Sequence, residues 1–291
     1  MNINEALVRI VRQSSPRLVF NILEIGARPI DGQPEPFHSL IPMFPGTRIN
    51  AFEVDPGLCE TLNNQAPNGL VYHPVALGQK EEERPFYMTR HPMCASLYKS
   101  NERLIERYNN MDVAMLKDVS TIRTVSLDHF VAVNDLPAID FIKIDIQGAE
   151  LDVFQGGAST LKNVLAIVTE VEFFPLYENQ PLFGDVHAFL AKSGFAFHKF
   201  MSLSGRSLKP VVFNNNTNFA TQHMWADAMF LRDPAQPDIM SPDQLLKLAI
   251  LAAMYGSPDV SVYCLQEYDR RRATATSREL MSYFHGGQAG A

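Results

Sequence analysis

Short apolar runs alternate with amphipathic stretches from Leu18 to about Arg232, the pattern of a three-layer α/β sheet. The strands predicted are Val19 to Ile25, Arg48 to Val54, Leu70 to Val75, Ile139 to Asp145, Val164 to Val171, Phe195 to Phe200 and Ala226 to Arg232. The run Ile139-Asp-Phe-Ile-Lys-Ile-Asp-Ile-Gln-Gly-Ala-Glu150 reads as a central strand covered on both faces. It ends abruptly in Asp145, Gln147, Gly148 and Glu150, where open α/β sheets bind ligands. No long helix separates the last two strands, so they pair through a hairpin-like excursion and the final strand is antiparallel. The fold predicted is a seven-stranded, mostly parallel sheet with its last strand antiparallel, followed by a C-terminal helical extension.

Residues 1–17 form an N-terminal helix with Ile3, Leu7, Ile10 and Val11 on one face and Asn4 as a possible cap. Residues 18–232 form the α/β domain, interrupted by an insert at 79–123 that carries Glu81-Glu82-Glu83, a turn at His91-Pro92 and a helical pattern from Glu102 to Met111. That insert is either a lid or substrate wall, or a hairpin and helix extending the sheet edge. Residues 233–291 begin with a linker, Asp233 to Pro237. Ser241-Pro242 then caps a helix whose Leu245, Leu248, Ala249, Leu251 and Ala252 share an apolar face. A second helix runs from about Val260 to Arg271. These faces either pack on the α/β domain or form a homo-oligomer interface, and the tail Gly286 to Ala291 is expected to be disordered.

With 291 residues and 46% hydrophobic positions the chain can bury a substantial core. Its net charge of -7, without a basic stripe, argues against nucleic acid as a partner and favours a small neutral or cationic one. Cys59, Cys94 and Cys264 have neither zinc-site nor disulfide spacing. No apolar run reaches the ~20 residues that span a bilayer, and the charged N-terminus is unlike a signal peptide. A cytoplasmic protein without membrane contact is expected.

Gly26, in Asn21-Ile-Leu-Glu-Ile-Gly-Ala-Arg28, permits a sharp turn and close ligand approach. A dinucleotide fold would need two further glycines on the ground held by Arg28-Pro29, so a nicotinamide-dependent oxidoreductase is disfavoured. Glu53, at the tip of the second strand, suits a pair of ribose hydroxyls, whereas Asp55 before Pro56 suits a helix cap. Ala76 offers a wall for an adenine, and His73 is a candidate base or a structural histidine. Asp145 sits where the strand order should reverse, with an ion pair to Lys143 as the competing explanation. Ser126 is expected to cap a helix, with Asp128 in its first turn complementing the dipole. Glu170 and Glu172 point the same way, and with Asp145 they form a hydrogen-bonded site, share a proton or hold a divalent metal. Phe174 and Tyr177 wall a substrate pocket or pack in the core.

Four segments resemble the FkbM-type methyltransferase family: Leu23-Glu-Ile-Gly26, Val125 to Phe130, Asp140 to Glu150 with Phe154, Gly156 and Gly157, and Glu170 to Tyr177 continuing to Phe195. The resemblance implies the class I methyltransferase fold and S-adenosylmethionine as cofactor. It puts Gly26, Glu53 and Asp145 at the cofactor; Glu24, Arg28 and Ala76 are further candidates there, and Arg28, which with Pro29 stands where the family has a longer glycine-bearing turn, is a candidate partner for the cofactor's carboxylate. The expected activity is O-methylation of a hydroxyl on a small molecule or glycan, with Asp145, Glu172 and His73 as candidate bases. The rival readings are a non-catalytic interaction protein that retains the fold and, less favoured, the nicotinamide enzyme.

Overall fold

The computed structural model describes residues 3–29 and 34–285, so the expected tail at Gly286 to Ala291 lies outside the described residues. The strands are β1 (Asn21–Ile25), β2 (Arg48–Phe52), β3 (Leu70–His73), β4 (Ala76–Gly78), β5 (Glu82–Thr89), β6 (Leu116–Ser126), β7 (Phe141–Ile144), β8 (Ala166–Glu172), β9 (Phe195–Phe200), β10 (Ser204–Gly205) and β11 (His223–Arg232). All seven expected strands are present, with ends shifted by a few residues.

The main sheet runs β3-β2-β1-β7-β8-β11, and both β9 and β10 pair with β11. It is mostly parallel, with β7 parallel to β8, while β11 runs antiparallel to β8, β9 and β10. The strand order and directions are those expected of a class I methyltransferase-like α/β sheet. The expected count of seven is corrected to eight, because Ser204 and Gly205 add a short strand on the chain's way from β9 to β11. The insert does not extend this sheet. β5 lies antiparallel to β6, β6 parallel to β4, and the three make a separate sheet. Its expected helix shrinks to Glu102–Ile105.

By compactness the chain divides differently from the 1–17, 18–232 and 233–291 segments. One unit comprises residues 1–22, 29–49 and 233–291, the other residues 23–28 and 50–232. In the first unit the helix Ile3–Ser14 buries Ala6, Leu7, Ile10 and Val11; Asn4 lies inside it and so does not cap it. Ser241 caps Pro242–Met254 through a reciprocal bond pair with Gln244. Every residue from Leu245 to Ala253 except Lys247 is buried, and the helix packs on Pro258–Arg272 and Ile3–Ser14. A further helix, Thr276–His285, is held at its start by Asp269, whose carboxylate accepts from Thr276 and Ser277.

The core of the second unit gathers Leu23, Ile25, Phe52, Ile142, Ile144, Phe154, Ile167, Val171 and Phe230. Burial of such side chains contributes about 1.5–3 kcal/mol each. The buried guanidinium of Arg232 closes one end by donating to the carbonyls of Val164, Leu161 and Ser193. No helix among the described residues is long and apolar enough to cross a membrane.

Candidate active site

Three strand ends meet where the sheet order reverses between β1 and β7, the place where such sheets leave a ligand crevice. Gly26 follows β1 with φ of 83°, and both its N–H and that of Ala27 donate to the Phe52 carbonyl, at 3.1 and 2.9 Å. A methyl group on Gly26 would fall 1.9 Å from the Asp145 carbonyl, so only glycine lets β1 and β7 end this close together. The Asp145 N–H donates to Ile25 at 2.9 Å and fixes the same junction from the other strand.

A cavity of about 620 Å³ opens beside this junction, within the usual size range for small-molecule sites. Gly26, Arg28, Glu53, Ala76 and Asp145 all line it. Glu53 is 5% exposed and its Oε1 accepts from the Asp55 N–H at 2.9 Å and from Arg28 at 3.1 Å. Arg28 also lies 3.6 Å from Asp55, so its guanidinium is engaged by the acids at the tip of the second strand. Asp55 caps the helix Pro56–Asn63, accepting from Gly57 and Leu58; the Leu58 N–H in particular holds its carboxyl below the ordinary range.

The insert supplies the facing wall. Phe86 and Met88 from β5, Ser120 and Ile122 from β6, and Met93 and Leu97 between them line the cavity. Arg84 ties this wall to the helix Glu150–Gly156 by a 2.5 Å bond to Asp152, which also receives the Tyr98 hydroxyl at 3.1 Å. The Ser96 hydroxyl donates to the Gln147 carbonyl at 2.7 Å.

Asp145 is both in the cavity and tied to a network behind it. Lys143 lies 3.4 Å from its Oδ2, and the Gln147 amide donates to its Oδ1 at 3.0 Å and to Glu170 at 2.6 Å. Tyr177, fully buried, puts its hydroxyl 2.9 Å from Gln147 Oε1 and 3.0 Å from the Cys94 carbonyl. Glu150 accepts from the Ile146 and Gly148 N–H groups, closing the turn that holds Gln147 at φ of 61°. Burial pushes the Glu150 carboxyl up to about 7, and burial, then neighbouring carboxylates, push Glu170 and Glu172 well above the ordinary range. Among the described residues no group of three or more His, Cys, Asp or Glu is arranged to hold a metal ion.

Three expected site residues are not brought to the cavity. Glu24 is in mid-strand, where alternation turns it away from Leu23 and Ile25 and beside Tyr72. His73 bonds to Asn50 at 2.9 Å and packs on Phe52 and Phe130, and burial lowers its pKa below the ordinary imidazole value. Glu172 is 2% exposed, lies opposite Trp225 in the ladder, and does not reach the lining. Ser126 caps Leu127–Val133 as expected, but the Asp128 carboxylate turns to Ser159 and Thr160, whose N–H groups it accepts at 2.9 and 2.7 Å. Sequence reasoning also missed Ser96, Arg84 and Asp152, and the role of Gln147 as a bridge.

The model of the methyltransferase FkbM domain matches residues 24–197, more than half of the chain and every residue that lines this cavity. The chain belongs to the FkbM methyltransferase family. A 60-residue stretch of this FkbM-family chain is 42% identical to the 2-O-methyltransferase NoeI of Sinorhizobium fredii (strain NBRC 101917 / NGR234), covering 21% of the chain and 25% of NoeI. The crystal structure of methyltransferase FkbM from Methylobacillus flagellatus KT is similar at 14% identity and a TM-score of 0.39, over 76% of this chain and 46% of that one. That of the magnesium protoporphyrin IX methyltransferase ChlM from Synechocystis PCC 6803 with bound SAM is similar at 9% identity and a TM-score of 0.33, over 79% and 78%. The chain thus spans a quarter of NoeI and under half of the Methylobacillus protein.

Proposed function

We propose that this FkbM-family chain transfers a methyl group from S-adenosylmethionine to a hydroxyl oxygen of a small molecule or glycan. The observation that carries the reading is the convergence of Gly26, Glu53, Ala76 and Asp145 on one cavity at the strand-order reversal. These residues fit the cofactor. A carboxylate offers about four acceptor sites, so Glu53 can take ribose hydroxyls while Oε1 keeps its bonds to Asp55 and Arg28. The Gly26 turn, bare of a side chain, lets an adenosyl group approach the backbone, and Val75, Ala76 and Leu77 give an apolar slot for its base.

When bound, S-adenosylmethionine supplies an activated methyl group on a positively charged sulfur. Most of the rate then comes from holding the acceptor oxygen in line, which the wall of Phe86, Met88, Met93 and Leu97 would do while excluding water. In this reading Asp145, which lines the cavity, receives the hydroxyl proton, a contribution of typically ~10²–10⁴-fold. Gln147 and Lys143 orient its two oxygens. Glu172 and His73, away from the cavity, are not assigned this role.

The test is incubation with methyl-¹³C-labelled cofactor and a panel of free sugars, oligosaccharides and hydroxylated small molecules, read by NMR. The reading predicts a new methyl resonance at an oxygen-bound shift that is lost in Asp145→Asn. Transfer to nitrogen or carbon, or to none of the panel, would overturn the oxygen assignment.

A further inference from the structure

The partly buried guanidinium groups of Arg28, Arg84 and Arg271 each face a carboxylate, and the buried one of Arg232 has all of its nitrogens on backbone carbonyls; Arg206 has neither arrangement. Arg206 follows β10, which Gly205 allows to lie close against the chain: a methyl group there would meet the Gln222 carbonyl at 2.0 Å. Its guanidinium stacks on Trp225 at 4.9 Å from the ring centre and donates to the Gly205 carbonyl at 2.7 Å, while its buried Nε makes no hydrogen bond. Among the described residues no carboxylate pairs with it. The sequence has 32 acidic and 25 basic residues, so partners are not scarce. Half-burying a guanidinium without an anion is costly, and its planar fork matches a carboxylate or phosphate.

The position of this group relates it to the cavity. Trp225 lies opposite Glu172 in the β8–β11 ladder and packs in the cluster of Tyr108, Phe174 and Tyr177. Tyr177 reaches both Gln147 and the Cys94 carbonyl, and the neighbours of Cys94, Met93 and Ala95, line the cavity. Burial and then Asp145 push the Cys94 thiol up, and Arg206 opposes them, so both charges lie within electrostatic reach of the same thiol.

We propose that Arg206, stacked on Trp225, is the docking point for an anionic group, a carboxylate or a phosphate, carried by the methyl acceptor. The inference rests on the methyl-transfer reading only for the word acceptor; the anion site stands on Arg206 and Trp225 alone. The net charge of -7 favours a neutral or cationic partner over the whole surface, but a local guanidinium decides what binds beside it.

Trp225 is the only tryptophan of the chain and reports directly on this stack. The full-length protein is titrated with inorganic phosphate and, separately, with acetate, at ionic strength held constant with chloride, while its fluorescence is read. A saturable change is expected with at least one of them, phosphate alone indicating a phosphorylated acceptor and acetate alone a carboxylated one. In Arg206→Gln the change should vanish while calorimetric binding of S-adenosylhomocysteine stays within twofold of wild type. In Arg206→Lys, which keeps the charge but not the fork, half-saturation should shift at least fivefold upward. No saturable change in the wild type, or an unchanged one in either variant, overturns the proposal; should Arg206→Gln not fold, the lysine variant decides. Loss of S-adenosylhomocysteine binding by the wild type itself would instead overturn the methyl-transfer reading and leave the anion result standing.

Discussion

Replacing Gly26 by alanine tests the junction on which the site is built. The residue has φ of 83°, which costs an L-residue about 1–2 kcal/mol. Its new methyl would lie 1.9 Å from the Asp145 carbonyl oxygen and 3.1 Å from the Ile146 side chain. Backbone cannot rotate away as a side-chain tip can, so the ends of β1 and β7 must part by over an ångström. That displacement strains the 2.9 Å bond from Asp145 to Ile25, and overpacking of this kind costs about 1–3 kcal/mol. The expected loss is therefore about 2–5 kcal/mol, a large share of the ~5–15 kcal/mol typical of a folded protein. Because Asp145 moves with the strand end, S-adenosylhomocysteine affinity should fall at least tenfold, about 1.4 kcal/mol. Urea unfolding and calorimetry measure the two effects. Gly184→Ala is the control: nothing lies within 4 Å of its new methyl, and in the helix Phe183–Lys192 it should be neutral or stabilising by up to ~1 kcal/mol. A Gly26→Ala protein within 0.5 kcal/mol of wild type, with unchanged affinity, would refute the close-approach argument.

The buried acids make stability fall as pH rises. Glu150 ionises at about 7 in the folded chain against 4.5 normally, so the folded form holds the proton more tightly; its stabilisation is full below pH 4.5 and lost as pH rises through 7. At ~1.36 kcal/mol per unit this amounts to about 3 kcal/mol, in the same direction as Glu170 and Glu172. The urea midpoint should drop between pH 5 and pH 8, less steeply in Glu170→Gln; a midpoint that rises over this range contradicts the burial argument. Arg84→Ala removes the bond between the insert and the helix Glu150–Gly156, with a cost of about 1–3 kcal/mol and faster amide exchange at Leu97 and Tyr98; unchanged exchange there would mean the wall is held by other contacts.

The central strands were legible because Ile139 to Ile146 and Val164 to Val171 are continuous apolar runs, and the turn residues at their ends mark the crevice. Gly26, Glu53, Ala76 and Asp145 were legible for the same reason, since a residue at the tip of a strand has few places to go. Glu24, His73 and Glu172 lie off the cavity because position along a strand does not tell which face a side chain takes, and alternation, ladder register or an aromatic neighbour decided it. The β5–β6 wall was hidden by its exposure. Lys117, Asp118, Ser120 and Thr121 are polar and exposed where they line the cavity, so no apolar alternation marked a strand, although Val119, Thr121, Ile122, Thr124 and Val125 are β-branched. The bridge through Gln147 depends on a left-handed backbone and on two residues far along the chain, Tyr177 and Glu170, which no local pattern announces.

Calorimetric titration of S-adenosylhomocysteine into the wild type and into Glu53→Gln bears most directly on the proposed pocket. The account predicts one site per chain in the wild type and an affinity about 10-fold or more weaker in the variant, whose shape is kept but whose charge no longer meets the ribose hydroxyls. No binding by folded wild-type protein, or equal affinity in the two, would contradict it.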